Sequence, residues 1–320
     1  MGTYGTYIIR RIVVGLILAV LASSSTFFIM RLLPGDPIVL YVAVNQGTIT
    51  EDARSQLHRK YGLDRPLIVQ YFRWINDVAH GRFGQSIYYR EDVGILLKER
   101  IPVTLYLGLL ALIVSTVSGV GLGIAAAIRR GKWIDKLITG VVNGAIAIPV
   151  FWLAILLIYL FGLKLRLIPI GGYTSPFDDL WMNLRQSILP VVCLSVPGAA
   201  VIARQMRASL LEILRQDYIR TAWAKGLMEG RVLFHHALKN SLIPIISIVG
   251  ASLGMILGGA VIIETIFAIP GMGRLMISSI LAKDYVVIQS GTLIIGLMVI
   301  MCNILVDIAY CWCDPRIRYD

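Results

Sequence analysis

Six stretches of this chain are too long and too apolar to be dissolved in water. They lie near residues 9–31, 102–128, 137–162, 188–206, 241–263 and 286–312, and a helix needs about 20 mostly apolar residues to cross the hydrocarbon core of a bilayer. Inside lipid every backbone N–H and C=O must be satisfied within its own segment, so the runs predict helices. Charged residues make up only 15% of the chain, against about 25% in soluble domains. The predicted fold class is an all-α membrane protein of about six transmembrane helices. The first run starts at Arg10-Arg11, as a signal peptide would. Its apolar core is longer than a signal peptide's and no small-x-small cleavage site ends it, so it reads as an uncleaved span.

Six spans place both termini on one side. That side holds fifteen basic residues in its short segments: Arg10, Arg11, Arg129, Arg130, Lys132, Lys136, Arg204, Arg207, Arg215, Arg220, Lys225, Arg231, Lys239, Arg316 and Arg318. The opposite short loops hold five, Lys164, Arg166, Arg185, Arg274 and Lys283. The positive-inside rule therefore predicts cytoplasmic termini and a cytoplasmic loop at 205–240, with the long 34–101 segment outside. The expected organisation is residues 1–33 for the N-terminus and first span, 34–101 for the external segment, and 102–320 for the core with its loop. Within the external segment, Thr50 can cap a helix that Gly62 ends near Tyr61, and Asp64 with Pro66 can open a second that closes near Gly81. The segment reads as a small folded cap.

Several chemistries find no residues to carry them. No phosphate-binding loop, no H-E-x-x-H and no G-x-S-x-G occurs, so neither ATP binding nor catalysis is expected in this chain, and no catalytic residue is assigned. His235 and His236 are adjacent, which points them apart on a helix, and no other ligand lies nearby, so no metal site is expected. Cys193, Cys302, Cys311 and Cys313 read as free thiols, with Cys311-Trp312-Cys313 the one spacing that could also bind a metal or form a redox pair. The net charge of +11 follows membrane topology and is not interleaved with aromatics as a nucleic-acid platform would be. Asp307 is the one acidic residue well inside an apolar run and Glu264 ends another. A proton- or ion-coupled carrier needs more than that, and it would show internal repeats. A polytopic membrane enzyme would need a convergent set of acid, base or metal residues, and none is present.

Small residues are plentiful where charge is scarce. Gly250, Gly254 and Gly258 recur every fourth residue, a spacing that lets helix backbones approach closely. Gly119, Gly121 and Gly123 loosen the end of the second run, and Pro149, Pro190 and Pro197 can kink their helices. In the largest cytoplasmic loop, Gln216 to Lys225 favours helix, Gly226 breaks it, and a second helical stretch runs toward Asn240 before Pro244 opens the fifth span. Ala222 and Gly226 lie four apart, which predicts one shared small face for a partner. This loop is the only sizeable handle for a cytoplasmic motor.

The stretch Thr221-Ala222-Trp223-Ala224-Lys225-Gly226-Leu227 resembles the coupling-loop signature of ABC importer permeases, whose general form is Glu-Ala-Ala, three residues, then Gly. Thr-Ala-Trp in place of Glu-Ala-Ala is the form of one branch, the dipeptide, oligopeptide and nickel permease family. Other marks of that branch are Arg10-Arg11, Leu33-Pro34-Gly35-Asp36-Pro37, Gly84-Gln85-Ser86, Arg100-Ile101-Pro102-Val103-Thr104-Leu105, Phe267-Ala268-Ile269-Pro270-Gly271-Met272-Gly273 and the tail Asp314-Pro315-Arg316-Ile317-Arg318-Tyr319. His80-Gly81-Arg82 departs from it, since an acidic residue is common after that glycine. The resemblance implies a type I ABC importer permease architecture, placed as the first, B-type permease with the larger external segment. It implies a heterodimer with a second homologous permease, two ATPase subunits that bind ATP and Mg, and an external substrate-binding protein, in the plasma (inner) membrane of a bacterium or archaeon. No cofactor is implied in this chain. Tyr218, Thr221, Ala222, Lys225, Gly226 and Leu227 are the residues it assigns to ATPase coupling. Dipeptides, oligopeptides, glutathione and nickel chelates are all handled by similar permeases, and the sequence leaves that choice open.

Overall fold

The computed structural model describes residues 2–32, 55–56, 58–59 and 62–313. Leu33–Pro37, Thr50, Tyr61 and the tail Asp314–Tyr319 lie outside the described residues, as do the side chains of Asp307, Cys311 and Cys313. In chain order the helices are α1 (Gly2–Leu32), α2 (Leu67–Ala79), α3 (Val93–Ile128), α4 (Trp133–Ala147) and α5 (Val150–Lys164, its second half a π-helix). They continue with α6 (Leu180–Ile213), α7 (Asp217–Ala224), α8 (Glu229–Ser241, π-helical over Val232–Ala237), α9 (Ile243–Ile266), α10 (Met272–Leu281) and α11 (Tyr285–Cys313). Four of the described helices are long and apolar enough to cross a membrane, and six spans result if each of two bent pairs counts as one.

The bent pairs correct the simplest reading of the runs. Residues 137–162 were expected as one span. Instead α4 and α5 meet at 106°. The cause is local: Ile148 precedes Pro149, and a residue before proline is driven out of the helical region, here to ψ 123, with Pro149 itself extended at ψ 134. Pro190 and Pro197 do not break α6, and Pro102 does not break α3. α8 and α9 meet at a milder 46°, with Pro244 in the first turn of α9, where its missing N–H costs nothing.

The chain divides into two compact units. The first comprises residues up to Thr104 together with Pro270–Met301. In it α2 packs on α1 through an aromatic cluster: Phe27, Phe28, Tyr71 and Trp74 make edge, stacked and tilted contacts at 5.3–6.3 Å. Arg31 lies 3.5 Å over the Phe27 ring and donates to Gln70 and Gln289. The second helix expected in the external segment is present, with Pro66 just before its first residue, His80 after its last and Gly81 at φ +76. Gly15 of α1 has no room for a side chain, because a Cβ there would lie 2.7 Å from Ile300 of α11.

The second unit is built around α6, the most buried of the candidate spans; α4, α5, α8 and α9 all pack on it. The second half of α3 joins it through glycines: a Cβ at Gly119 would fall 2.7 Å from the Ala199 carbonyl, and one at Gly123 2.7 Å from that of Ala203. Sequence reading took this trio as loosening α3. Gly119 and Gly123 instead permit close backbone approach, the use it had reserved for Gly250, Gly254 and Gly258. Gly250 is buried and Gly254 half-buried, whereas a Cβ at Gly258 would meet nothing within 4 Å.

Candidate functional site

The 216–241 segment folds as helix, turn, helix at the end of α6. Gln216 adopts an extended conformation, and Asp217 sits in the first turn of α7, where its charge complements the exposed N–H groups. The two faces of α7 differ sharply. Ile219 and Ala222 are buried among Met206 and Leu210 of α6, Val232 and Ala237 of α8 and Ile245 of α9. Tyr218, Thr221, Trp223 and Lys225 are exposed.

The turn after α7 is a Schellman motif. Gly226 N–H donates to the Trp223 carbonyl at 2.9 Å and Leu227 N–H to that of Ala222 at 3.4 Å, with Gly226 left-handed at φ +76. Leu227 packs back on the apolar cluster, as the residue after such a glycine commonly does. A Cβ at Gly226 would meet no atom within 4 Å. Its glycine therefore serves the backbone angle and leaves an open surface beside it, continued by Met228 at 77% exposure. The expectation that Ala222 and Gly226 share one outward face does not hold. Ala222 turns into the knob, and Gly226 lies past the end of the helix.

Polar groups fix the knob to its stem. Ser209 of α6 donates to the Ser241 carbonyl at 3.1 Å, and Asn240 donates to the Tyr218 hydroxyl at 3.0 Å. Two residues earlier in α6, Arg207 makes a bidentate pair with Asp135 of α4, at 2.7 and 2.8 Å. Gly131 N–H donates to the same carboxylate at 2.9 Å. Asp135 is 4% exposed. A sequence scan that counts Arg207 only as loop charge misses this pair. Its one signal is an acidic residue at the start of a helix, and that signal names no partner.

The motifs of the first unit do something else. Asp284 caps α11, accepting from Val287 N–H at 3.4 Å, and its buried carboxylate also accepts from the Ser86 hydroxyl and from Tyr88 N–H at 3.0 Å. Gly84, at φ +86, shapes the turn that delivers Ser86, and its carbonyl accepts from Val93 N–H at 2.9 Å. The Thr104 hydroxyl accepts from Met272 N–H at 2.8 Å, which satisfies an orphan donor at the start of α10. Three of the motifs quoted above thus close on hydrogen bonds within the first unit.

The chain was compared with known proteins. Residues 119–319 match the family model described as binding-protein-dependent transport system inner membrane component, and residues 5–108 match that of its N-terminal part. A probable peptide ABC transporter permease protein of Sinorhizobium fredii is 40% identical, with 98% of this chain and 100% of the relative covered. A putative peptide permease protein of Brucella suis is 39% identical, covering 98% of each. The di/tripeptide transport system permease protein DppB of Pseudomonas aeruginosa is 36% identical over 92% of this chain and 93% of its own. Among solved structures, the MetNI methionine ABC transporter in an inward-facing conformation superposes with a TM-score of 0.57 at 18% identity, covering 68% of this chain and 96% of the other, a likeness of fold. Two matched models that together span most of the chain, and relatives aligned nearly end to end, establish that this protein belongs to the family of binding-protein-dependent transport system inner membrane components.

Proposed function

We propose that this chain is one permease subunit of a peptide importer, pairing with a second homologous permease above two ATPase subunits and receiving peptide from an external binding protein. ATP and Mg belong to the ATPases, and this chain carries no catalytic residue. The observation that carries the reading is the division of α7 into a buried anchoring face and an open presenting surface, Tyr218, Thr221, Trp223, Lys225 and Gly226, closed by the Gly226 turn. Such a knob transmits a push: its apolar side is locked to α6, α8 and α9, so a displacement of the exposed side moves the stem with it. The names of the full-length relatives support peptide as the cargo. Both termini and 205–240 face the cytoplasm of a bacterial or archaeal cell, while 34–101 forms the external segment and 102–320 the permease core. The spacing of Gly250, Gly254 and Gly258 suits a close helix–helix approach, and the open side of Gly258 leaves that approach to the second permease.

Two measurements test this. A single cysteine at position 225, in a chain otherwise free of cysteine, should resist an impermeant thiol reagent in intact cells and react after lysis; ready labelling in intact cells inverts the topology. Affinity purification of this chain should recover a second permease and an ATPase together, and recovery of the chain alone, in an active state, ends the importer reading.

A further inference from the structure

Within the first unit, a cavity of about 240 Å³ is lined by Tyr89, Arg100, Arg274, Ser278, Leu275 and the Pro270-Gly271 turn. Arg100 and Arg274 both line it, and among the described residues no carboxylate does. The Arg100 Nε atom is buried and, among the described residues, has no hydrogen-bond partner. Gly271 precedes the first residue of α10, so the positive end of that helix is directed to the same place. Tyr89 and Ser278 bring two hydroxyls to the same space, and burial pushes the Tyr89 phenol up, so it keeps its proton.

The chemistry is that of an oxyanion receptor. Arginine forks bind carboxylate and phosphate bidentately, and hydroxyls complete the shell. The volume lies below the roughly 300 Å³ at which pockets begin to enclose whole ligands, so the space takes one end group. A terminal carboxylate is tethered by one bond and brings both oxygens to such a fork, and it is the oxyanion that every peptide carries at its C-terminus.

We propose that Arg100 and Arg274, with the Tyr89 and Ser278 hydroxyls, form a receptor for a single terminal carboxylate on the external side, and that its occupant is the C-terminal carboxylate of the transported peptide. The proposal rests on the importer reading above, both for the orientation and for the cargo. It assigns to the permease a recognition step of its own, after delivery by the binding protein.

The test uses the intact complex purified in nanodiscs of zwitterionic lipid, without the binding protein, and equilibrium binding of radiolabelled trialanine. Trialanine amide should compete at least tenfold more weakly than trialanine. Arg100→Gln and Arg274→Gln should each weaken trialanine binding about tenfold and narrow the gap between acid and amide, with Arg100→Lys retaining part of it. Should a glutamine variant fail to assemble, Tyr89→Phe and Ser278→Ala, which remove only a hydroxyl, should still narrow the gap about threefold. Equal competition by acid and amide overturns the proposal, as does absence of trialanine binding. Displacement by inorganic phosphate but not by acetate assigns the site to phosphate and also overturns it. So does loss of a co-purifying acidic phospholipid in Arg100→Gln with trialanine binding unchanged. If no ATPase accompanies the wild-type complex, the importer reading has failed; if it does and the acid–amide gap is absent, only the carboxylate receptor has.

Discussion

Two glycine-bearing motif regions of this molecule are built on opposite principles. Around Ser86, Thr104, Met272 and Asp284 the polar groups turn inward and satisfy one another, and Asp284 and Ser86 are fully buried. In the knob of α7 and α8 the polar and aromatic groups turn outward, while an apolar interior and one left-handed glycine hold the shape. The first region uses its motifs to close itself. The second uses them to stay open at low cost to its own folding. Short motifs of similar look thus divide into self-satisfying and presenting kinds, and the division is read from where the hydrogen bonds end.

Substitutions can break or sharpen this contrast. The largest loss of stability is expected at the stem on which the knob stands: Asp135→Ala leaves half-buried Arg207 without its partner and the Gly131 N–H without its acceptor, worth about 3 kcal/mol together. Heat-induced aggregation of the purified complex should show it, and the double change Asp135→Ala with Arg207→Met should recover much of the loss. Next, Asp284→Ala removes a helix cap and orphans the Ser86 hydroxyl and Tyr88 N–H, at about 2–3 kcal/mol, with Asp284→Asn keeping part of it in the same assay. If Asp284→Ala were neutral, the closed character of the first unit's motifs would be an illusion of geometry.

In the knob, Gly226→Val forces a β-branched residue into the left-handed region, at about 1–2 kcal/mol, whereas Gly226→Asn accepts that angle. Uptake and ATPase recovery should fall with valine and survive with asparagine if backbone shape is what the partner reads. Loss with both would mean that the partner needs the open space itself. The smallest effect on stability belongs to Trp223→Ala, within about 0.5 kcal/mol as for an exposed site, yet it should reduce ATPase co-purification. A stable variant with full ATPase recovery would remove Trp223 from the presenting surface.

Much of this was legible without coordinates, because it depends on neighbours in the chain. Apolar length dictates spanning helices, since no other backbone satisfies itself in lipid. The Gly226 turn, the start of α2 after Pro66 and the place of Pro244 are also local. The Ile148–Pro149 break was local in cause but not in extent: proline at 149 announced a kink, and the 106° between α4 and α5 came from the packing of both on α6. The glycine spacing was readable at 250, 254 and 258; that Gly119 and Gly123 lie against the Ala199 and Ala203 carbonyls was not, because a period says a helix can be approached and not by what.

The partners across long separations were decided only by the tertiary structure. Asp135 finds Arg207 over 72 residues, Met272 finds Thr104 over 168 and Ser86 finds Asp284 over 198. A single sequence states which residues can donate and accept. Which donor meets which acceptor follows from how the helices pack, and the same packing turned Ala222 inward and left Gly226 open.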